Sequence, residues 1–321
     1  MSRVEKLSVS NPVLLRAKNI NLYKLKNKTK DIIMGIFTAI LLLGISYTIL
    51  APVIGVFAIS FMTMDDMFNP LVFLIPQNLN LSNYASAIRF MPFWPALRRT
   101  IIYSFGMGVL HVFIASLVGY GFARFRFYGN KLILGIVLLT FIIPPETYLV
   151  PLWFRFNFFG PTDINLMGSY ASMIILTLTG MGLRSGLFIY IFRQFFMGVP
   201  KELSEAAAID GCGHFRTYAI IMMPNAKPAI VTVLMFALVW HYGDTFYSSV
   251  LLGSPTFLHV ALGQVVGNYL HFHFLGMDFD ILRAQLVFFP SVVLVILPIM
   301  IIYAIMQRRF IEGIERSGIV G

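Results

Sequence analysis

Disulfide chemistry is the first thing this sequence lacks: Cys212 is the single cysteine among 321 residues, so no intrachain bridge can form. Charge is the second shortage. Asp, Glu, Lys and Arg make up 12% of the chain, against about a quarter in soluble domains, which excludes an ordinary solvated surface. The phosphate-loop spacing Gly-x4-Gly-Lys-Ser/Thr is absent, so ATP cannot be cradled by that route. Cys-x2-Cys, His-x3-His and Gly-x-Ser-x-Gly are absent as well. His271 and His273 stand two apart and would point to different sides of a helix, which disfavours a shared metal ion. No catalytic, cofactor-binding or metal constellation is expected, so the chain is read as a non-enzyme.

Apolar residues fill the space that charge leaves. They make up 58% of the chain, and the mean hydropathy is +0.80. Several runs reach the roughly 20 residues needed to cross a hydrocarbon core. Spans are expected near Ile32–Met62, Ile101–Ala123, Leu132–Trp153, Tyr170–Phe196, Ala226–Leu252 and Leu286–Met306. The expectation is an all-α integral membrane fold of six transmembrane helices with both termini on one side. It divides into a basic tail over 1–31, a transmembrane domain over 32–306 and a C-terminal tail over 307–321. The first apolar run is about twice the length of a signal core and no small-x-small site follows it, so it is read as a retained span.

Lys and Arg decide which side is which. The leading tail carries eight of them, from Arg3 to Lys30, and the same face receives Arg124, Arg126, Lys131, Arg193, Lys201, Arg216, Lys227, Arg308, Arg309 and Arg316. The opposite face holds Arg89, Arg98, Arg99, Arg155 and Arg283. Both termini and the stretch 199–224 are therefore expected in the cytoplasm. The net charge of +10 is mostly this bias, which points to a lipid bilayer and not to nucleic acid.

The stretch 199–224 is polar and lies between two apolar runs. Pro200 suits a first helical position, Glu202 and Glu205 complement the positive end of a helix dipole, and Ala206, Ala207 and Ala208 keep the helix slim. Gly211 and Gly213 supply an end signal, and a second helical stretch over Phe215 to Met223 leads to Pro224, the expected first residue of the next span. Glu205-Ala206-Ala207, then Gly211, Ile221 and Pro224, match in residue and spacing the pattern Glu-Ala-Ala-x3-Gly-x9-Ile-x-Leu-Pro, with Met223 in place of Leu. This resembles the coupling loop of the membrane permease subunits of binding-protein-dependent ABC importers.

Other segments are similar to the carbohydrate-uptake subgroup. They are Gly119 through Phe127, Ile142-Ile143-Pro144-Pro145, Phe192-Arg193-Gln194-Phe195-Phe196, Ile209-Asp210-Gly211, and the ending from Gln307-Arg308-Arg309-Phe310 to Gly321. The ending resembles the second permease of the maltose-importer type. The resemblance implies the type I ABC importer permease fold. It also implies a second permease, two ATPase subunits that bind the ATP, an extracytoplasmic solute-binding protein and a sugar or oligosaccharide substrate. It places Glu205, Ala206, Ala207, Asp210 and Gly211 at the ATPase, Ser317, Gly318 and Gly321 at the ATPase interface, and roughly Gly253–Asp280 as an outward loop toward the binding protein. Trp240-His241 stands where Trp-Asn is usual, and Arg283-Ala284-Gln285 where Met-Ala-Ala is usual, so the usual substrate is not carried over. An importer for peptides, amino acids or ions, and a secondary carrier, are the alternatives.

The spans carry chemistry of their own. Pro144, Pro145, Pro151, Pro290 and Pro298 favour kinks that can line a cavity. On one continuous helix Trp240, Asp244 and Tyr247 would share a stripe, with His241 beside it, either facing sugar or bonding neighbouring helices. Arg184 falls midway along Tyr170–Phe196, roughly 20 Å from either end at 1.5 Å per residue. A centred arginine costs at least about 2.5–3.5 kcal/mol on insertion scales, so it needs a wet cavity, a substrate or an acid, and Asp244 and Glu146 are the acids available.

Overall fold

The computed structural model describes the backbone of residues 12–253, 256–273 and 278–318, and side chains over 30–253, 256–273 and 281–311. Helix α1 (Pro12–Ser60) begins with the expected first span, since Lys30–Ser60 extends about 46 Å at 1.5 Å per residue. None of its most apolar stretch is buried within the chain. Its end is tied down by α3 (Ser82–Phe90), which follows the short α2 (Met64–Phe68). Asn83 donates to the carbonyls of Ser60 and Met62 at 3.2 and 2.9 Å, and the Ser60 and Tyr84 hydroxyls lie 2.7 Å apart.

Helix α4 (Phe93–Arg124) is the central post. Its buried residues recur every three or four positions, as in Thr100, Tyr103, Met107, His111, Ala115 and Gly119, while Ile102, Phe105, Val109 and Phe113 stay exposed. Gly119 marks a close approach to the later helix α8 (Ser185–Gly198), because a Cβ there would sit 2.7 Å from Phe192 Cβ and 2.9 Å from the Arg193 nitrogen. Small residues permit such approaches between membrane helices, where packing must replace the hydrophobic drive.

Three expected spans are broken. Helix α5 (Asn130–Ile142) stops because Pro144 forces Ile143 out of helical geometry; a 3₁₀ turn over Pro145–Tyr148 and α6 (Leu149–Asn157) then run off at 100°. The two prolines therefore end a helix and do more than kink it. Tyr170–Phe196 is two helices, α7 (Tyr170–Leu178) and α8 (Ser185–Gly198), separated by a turn in which Gly180 and Arg184 both take positive φ. Arg184 is thus not mid-helix but at the break. After α9 (Glu202–Ile209), α10 (His214–Thr217), a π turn (Tyr218–Met222) and α11 (Met223–Asn225), the chain bends by 80° into α12 (Lys227–Tyr242). Gly243 to Thr245 then interrupt it before α13 (Phe246–Leu251). The expected stripe of Trp240, Asp244 and Tyr247 is consequently not a helical face.

The stretch Gly253–Asp280, expected as a loop, is largely α14 (Leu258–His273). Its buried Leu258, Ala261 and Val265 pack toward α3, α4 and α15 (Asp278–Gly318). The Leu258 N–H donates to Thr100 Oγ1 at 2.9 Å, and Asn268 to the Phe90 carbonyl at 3.0 Å. Helix α15 keeps Pro290 and Pro298 within one continuous helix and carries on past residue 307, so the expected C-terminal tail is helical as far as Gly318. The Tyr242 hydroxyl donates to the Val295 carbonyl at 2.6 Å, one turn before Pro298. By length and composition, Lys30–Ser60, Phe93–Arg124 and Ile281–Ile311 can each cross a membrane, and the bent pairs Asn130–Asn157 and His214–Tyr242 raise the number to five among the described residues.

Candidate functional site

Helix α9 starts where the Lys201 carbonyl accepts from the Ser204 and Glu205 N–H groups, at 2.9 and 3.0 Å. Pro200 therefore stands just outside the helix and not at its first position. The other end closes as a Schellman motif: Cys212 N–H reaches back to the Ala207 carbonyl at 2.8 Å and Gly211 N–H to Ala208 at 3.1 Å. Gly211 has φ +77°, the left-handed value that glycine adopts without penalty. Gly213 has negative φ and opens α10, so Gly211 alone terminates α9. Pro224 lies in the last helical turn of the loop, and Pro228 takes the early position in the span α12.

The helix buries one alanine and shows the rest. Ala207 is 2% exposed, whereas Glu205, Ala206, Asp210 and Gly211 are all exposed. Two apolar side chains not among the expected docking residues stand out beside them, Ile209 at 87% and Phe215 at 68% exposure. The signal was available: a large apolar residue in a polar loop is exposed unless the loop is buried. A groove of about 690 Å³ flanks this knob, with Arg124, Arg126, Lys201, Glu205, Cys212 and His214 in its walls. The loop is held to the bundle by Arg124, which donates to the Val199 carbonyl at 2.7 Å, and by the Ser116 and Tyr218 hydroxyls, 2.7 Å apart. Ser317 and Gly318 end α15, and Gly321 lies outside the described residues.

Within the bundle, the residues expected along a path converge without forming a stripe. The Arg184 guanidinium lies 5.3 Å from the Phe141 ring centre and 5.6 Å from that of Trp240, and Trp240 stacks on Phe236 at 5.3 Å. Arg184 makes no ion pair among the described residues. Asp244 is buried, but its carboxylate accepts the N–H groups of Phe246, Tyr247 and Ser248 at 3.1–3.2 Å and so caps α13; Glu146 is exposed. Neither is the partner expected for Arg184. His241 points away from Trp240, against Tyr103 and His111, with ring centres 5.5 and 5.1 Å apart. Both His241 ring nitrogens and His111 Nε2 are buried without a hydrogen-bond partner.

The sequence pattern described as binding-protein-dependent transport system inner membrane component matches residues 111–316. Among curated proteins, the chain is 28% identical over 215 residues to the arabinooligosaccharides transport system permease protein AraQ of Bacillus subtilis (strain 168), covering 66% of this chain and 69% of that protein. It is 27% identical over 290 residues to the osmoprotective compounds uptake permease protein GgtD of Synechocystis sp. (strain ATCC 27184 / PCC 6803 / Kazusa), covering 88% and 90%. Its fold matches, at a TM-score of 0.68, 23% identity and coverage of 88% and 98%, a chain in the crystal structure of a bacterial ABC transporter involved in the import of the acidic polysaccharide alginate. The pattern covers well over half of the sequence and includes the Glu205–Pro224 loop. The chain belongs to the inner-membrane components of binding-protein-dependent transport systems.

Proposed function

We propose that this protein forms half of the translocation path of a carbohydrate ABC importer, working with a second permease, two ATPase subunits and an extracytoplasmic binding protein. The observation that carries this reading is α9, a short helix locked at both ends and exposed beyond the bundle, in a sequence that carries no Gly-x4-Gly-Lys-Ser/Thr phosphate loop. Such a knob suits the groove of an ATPase. Ile209 and Ala206 supply apolar contact, and Glu205 and Asp210 supply charge at the rim. Closure of the ATPases around ATP moves the knob and turns the cavity outward, one of the discrete states of an alternating-access cycle. We place six spans in the membrane, with α7 and α8 together making one crossing and both termini in the cytoplasm, in line with the Lys and Arg bias. The relative named for arabinooligosaccharide transport, and the sugar-type segments around Gly119, Phe192 and Gln307, favour sugar over other solutes.

The test is the whole complex, copurified and placed in vesicles. Labelled oligosaccharide accumulates inside only when ATP and the loaded binding protein are both present. Accumulation of an amino acid or a non-sugar osmolyte in its place, or uptake driven by a proton gradient without ATP, overturns the reading.

The C-terminal residues give a narrower expectation. Deleting Ser317–Gly321 lowers binding-protein-stimulated ATP hydrolysis more than it lowers insertion or abundance, because glycines there allow close backbone approach to the ATPase dimer. An unaltered hydrolysis rate in the fully assembled complex removes the tail from that interface.

A further inference from the structure

We propose that the recess around Arg184 is a subsite for a carboxylate carried on the transported sugar, so that the substrate class includes uronate-bearing oligosaccharides. The inference rests on the carbohydrate reading and narrows it. The recess lies at the break between α7 and α8 and is walled by Thr140 and Phe141 of α5, Tyr148 and Tyr247, with Arg184, Ser185 and Gly186 on the remaining side. Its volume is about 40 Å³, room for a few water-sized groups and so for a carboxylate, but not for a pyranose ring.

The chemistry of the walls fits a charged group entering from an adjoining sugar. Arg184 is exposed and held between two aromatic rings, which orient its fork without consuming its hydrogen-bond donors. Of the two acids expected as its partners, Asp244 is committed to three backbone N–H groups of α13, and Glu146, next to the lining residue Pro145, is exposed. A positive charge among apolar spans that makes no ion pair among the described residues is provided for an anion brought from outside. The first residues of α8 line the same recess, so the positive end of that 14-residue helix adds to the potential. Tyr148 and Tyr247, whose hydroxyls lie 2.6 Å apart in the wall, offer polar contact to sugar oxygens.

The test uses the complete complex in vesicles with two labelled substrates, a uronate oligosaccharide and its carboxyl-reduced neutral counterpart of equal length. Wild type accumulates the acidic sugar in preference to the neutral one. Arg184→Met lowers the acidic-to-neutral uptake ratio by roughly ten- to hundredfold, the range expected when a charge-assisted hydrogen bond is lost. Arg184→Lys keeps the charge but not the fork, and lowers the ratio by less. If the methionine variant fails to assemble, the lysine variant carries the comparison alone. A ratio unaltered in an assembled variant overturns the subsite, as does a wild type that takes only the neutral sugar, in which case the carbohydrate reading stands. A wild type that accumulates neither sugar overturns both.

Discussion

Gly211→Val abolishes ATP-driven uptake while leaving the protein in the membrane. The residue holds φ +77° at the end of α9, where a Cβ costs about 1–2 kcal/mol through its clash with the following carbonyl and branching adds to it. Beyond the residue itself and its two chain neighbours no atom lies within 4 Å of the position a Cβ would take, so the damage is conformational and does not come from a blocked neighbour. The two bonds that close the helix, from Cys212 to Ala207 and from Gly211 to Ala208, are lost together. Ile209 and Asp210 then lose their fixed position on the knob. Gly211→Asn is the control: asparagine tolerates the left-handed region, and this variant retains most of the uptake. Glu205→Lys reaches the same loss by charge, since it adds a fourth cation beside Lys201, Arg124 and Arg126 in the groove wall. Hydrolysis-coupled uptake in vesicles, set against the amount of complex recovered, measures all three. Wild-type uptake by the valine and lysine variants removes α9 from the coupling interface.

Gly119→Leu acts earlier and removes the folded protein. Its Cβ would meet Phe192 Cβ at 2.7 Å, the Arg193 nitrogen at 2.9 Å and the Ile189 carbonyl at 3.0 Å. Two of those three atoms are backbone, so no rotamer change relieves the contact and α4 must move away from α8. Overpacking of this kind costs about 1–3 kcal/mol or more, and here it falls where the large core around Phe188, Phe192 and Phe196 is assembled. The expected result is a severalfold loss of monodisperse protein after detergent extraction. Gly121→Ala, two residues along the same helix, meets nothing within 4 Å and extracts normally. Equal yields from the two variants contradict the close α4–α8 contact.

What could be read beforehand follows from how far each signal acts. The α9 loop was legible because its determinants are local: carboxylates at the helix start, alanines along it and a glycine at the left-handed end. The long apolar runs of α1, α4 and α15 announced themselves by length alone. Hydropathy averaged over a window does not register a break, so the turn from Thr179 to Arg184 and the interruption at Gly243 were hidden inside apolar stretches. Arg184 could be recognised as out of place in a span, but not as the residue that ends one. Asp244 suggested a face of α12 because its role, capping α13, depends on a helix end that the apolar pattern conceals. Helix α14 was passed over for the opposite reason: its buried stripe is real, but Gly, Asn and His dilute the average.

Among the described residues, helix α1 meets α15, is tied to α3 at its end and otherwise touches little of its own chain, and the family pattern begins only at His111, well after it. In hydrocarbon such a helix keeps its backbone bonds without help, so it can insert alone and early during synthesis. Its lateral position is then decided by whatever arrives next to it. The polypeptide is therefore not the unit of folding at this edge. On the reading proposed above, a copy without its second permease leaves this helix unclaimed along its apolar length.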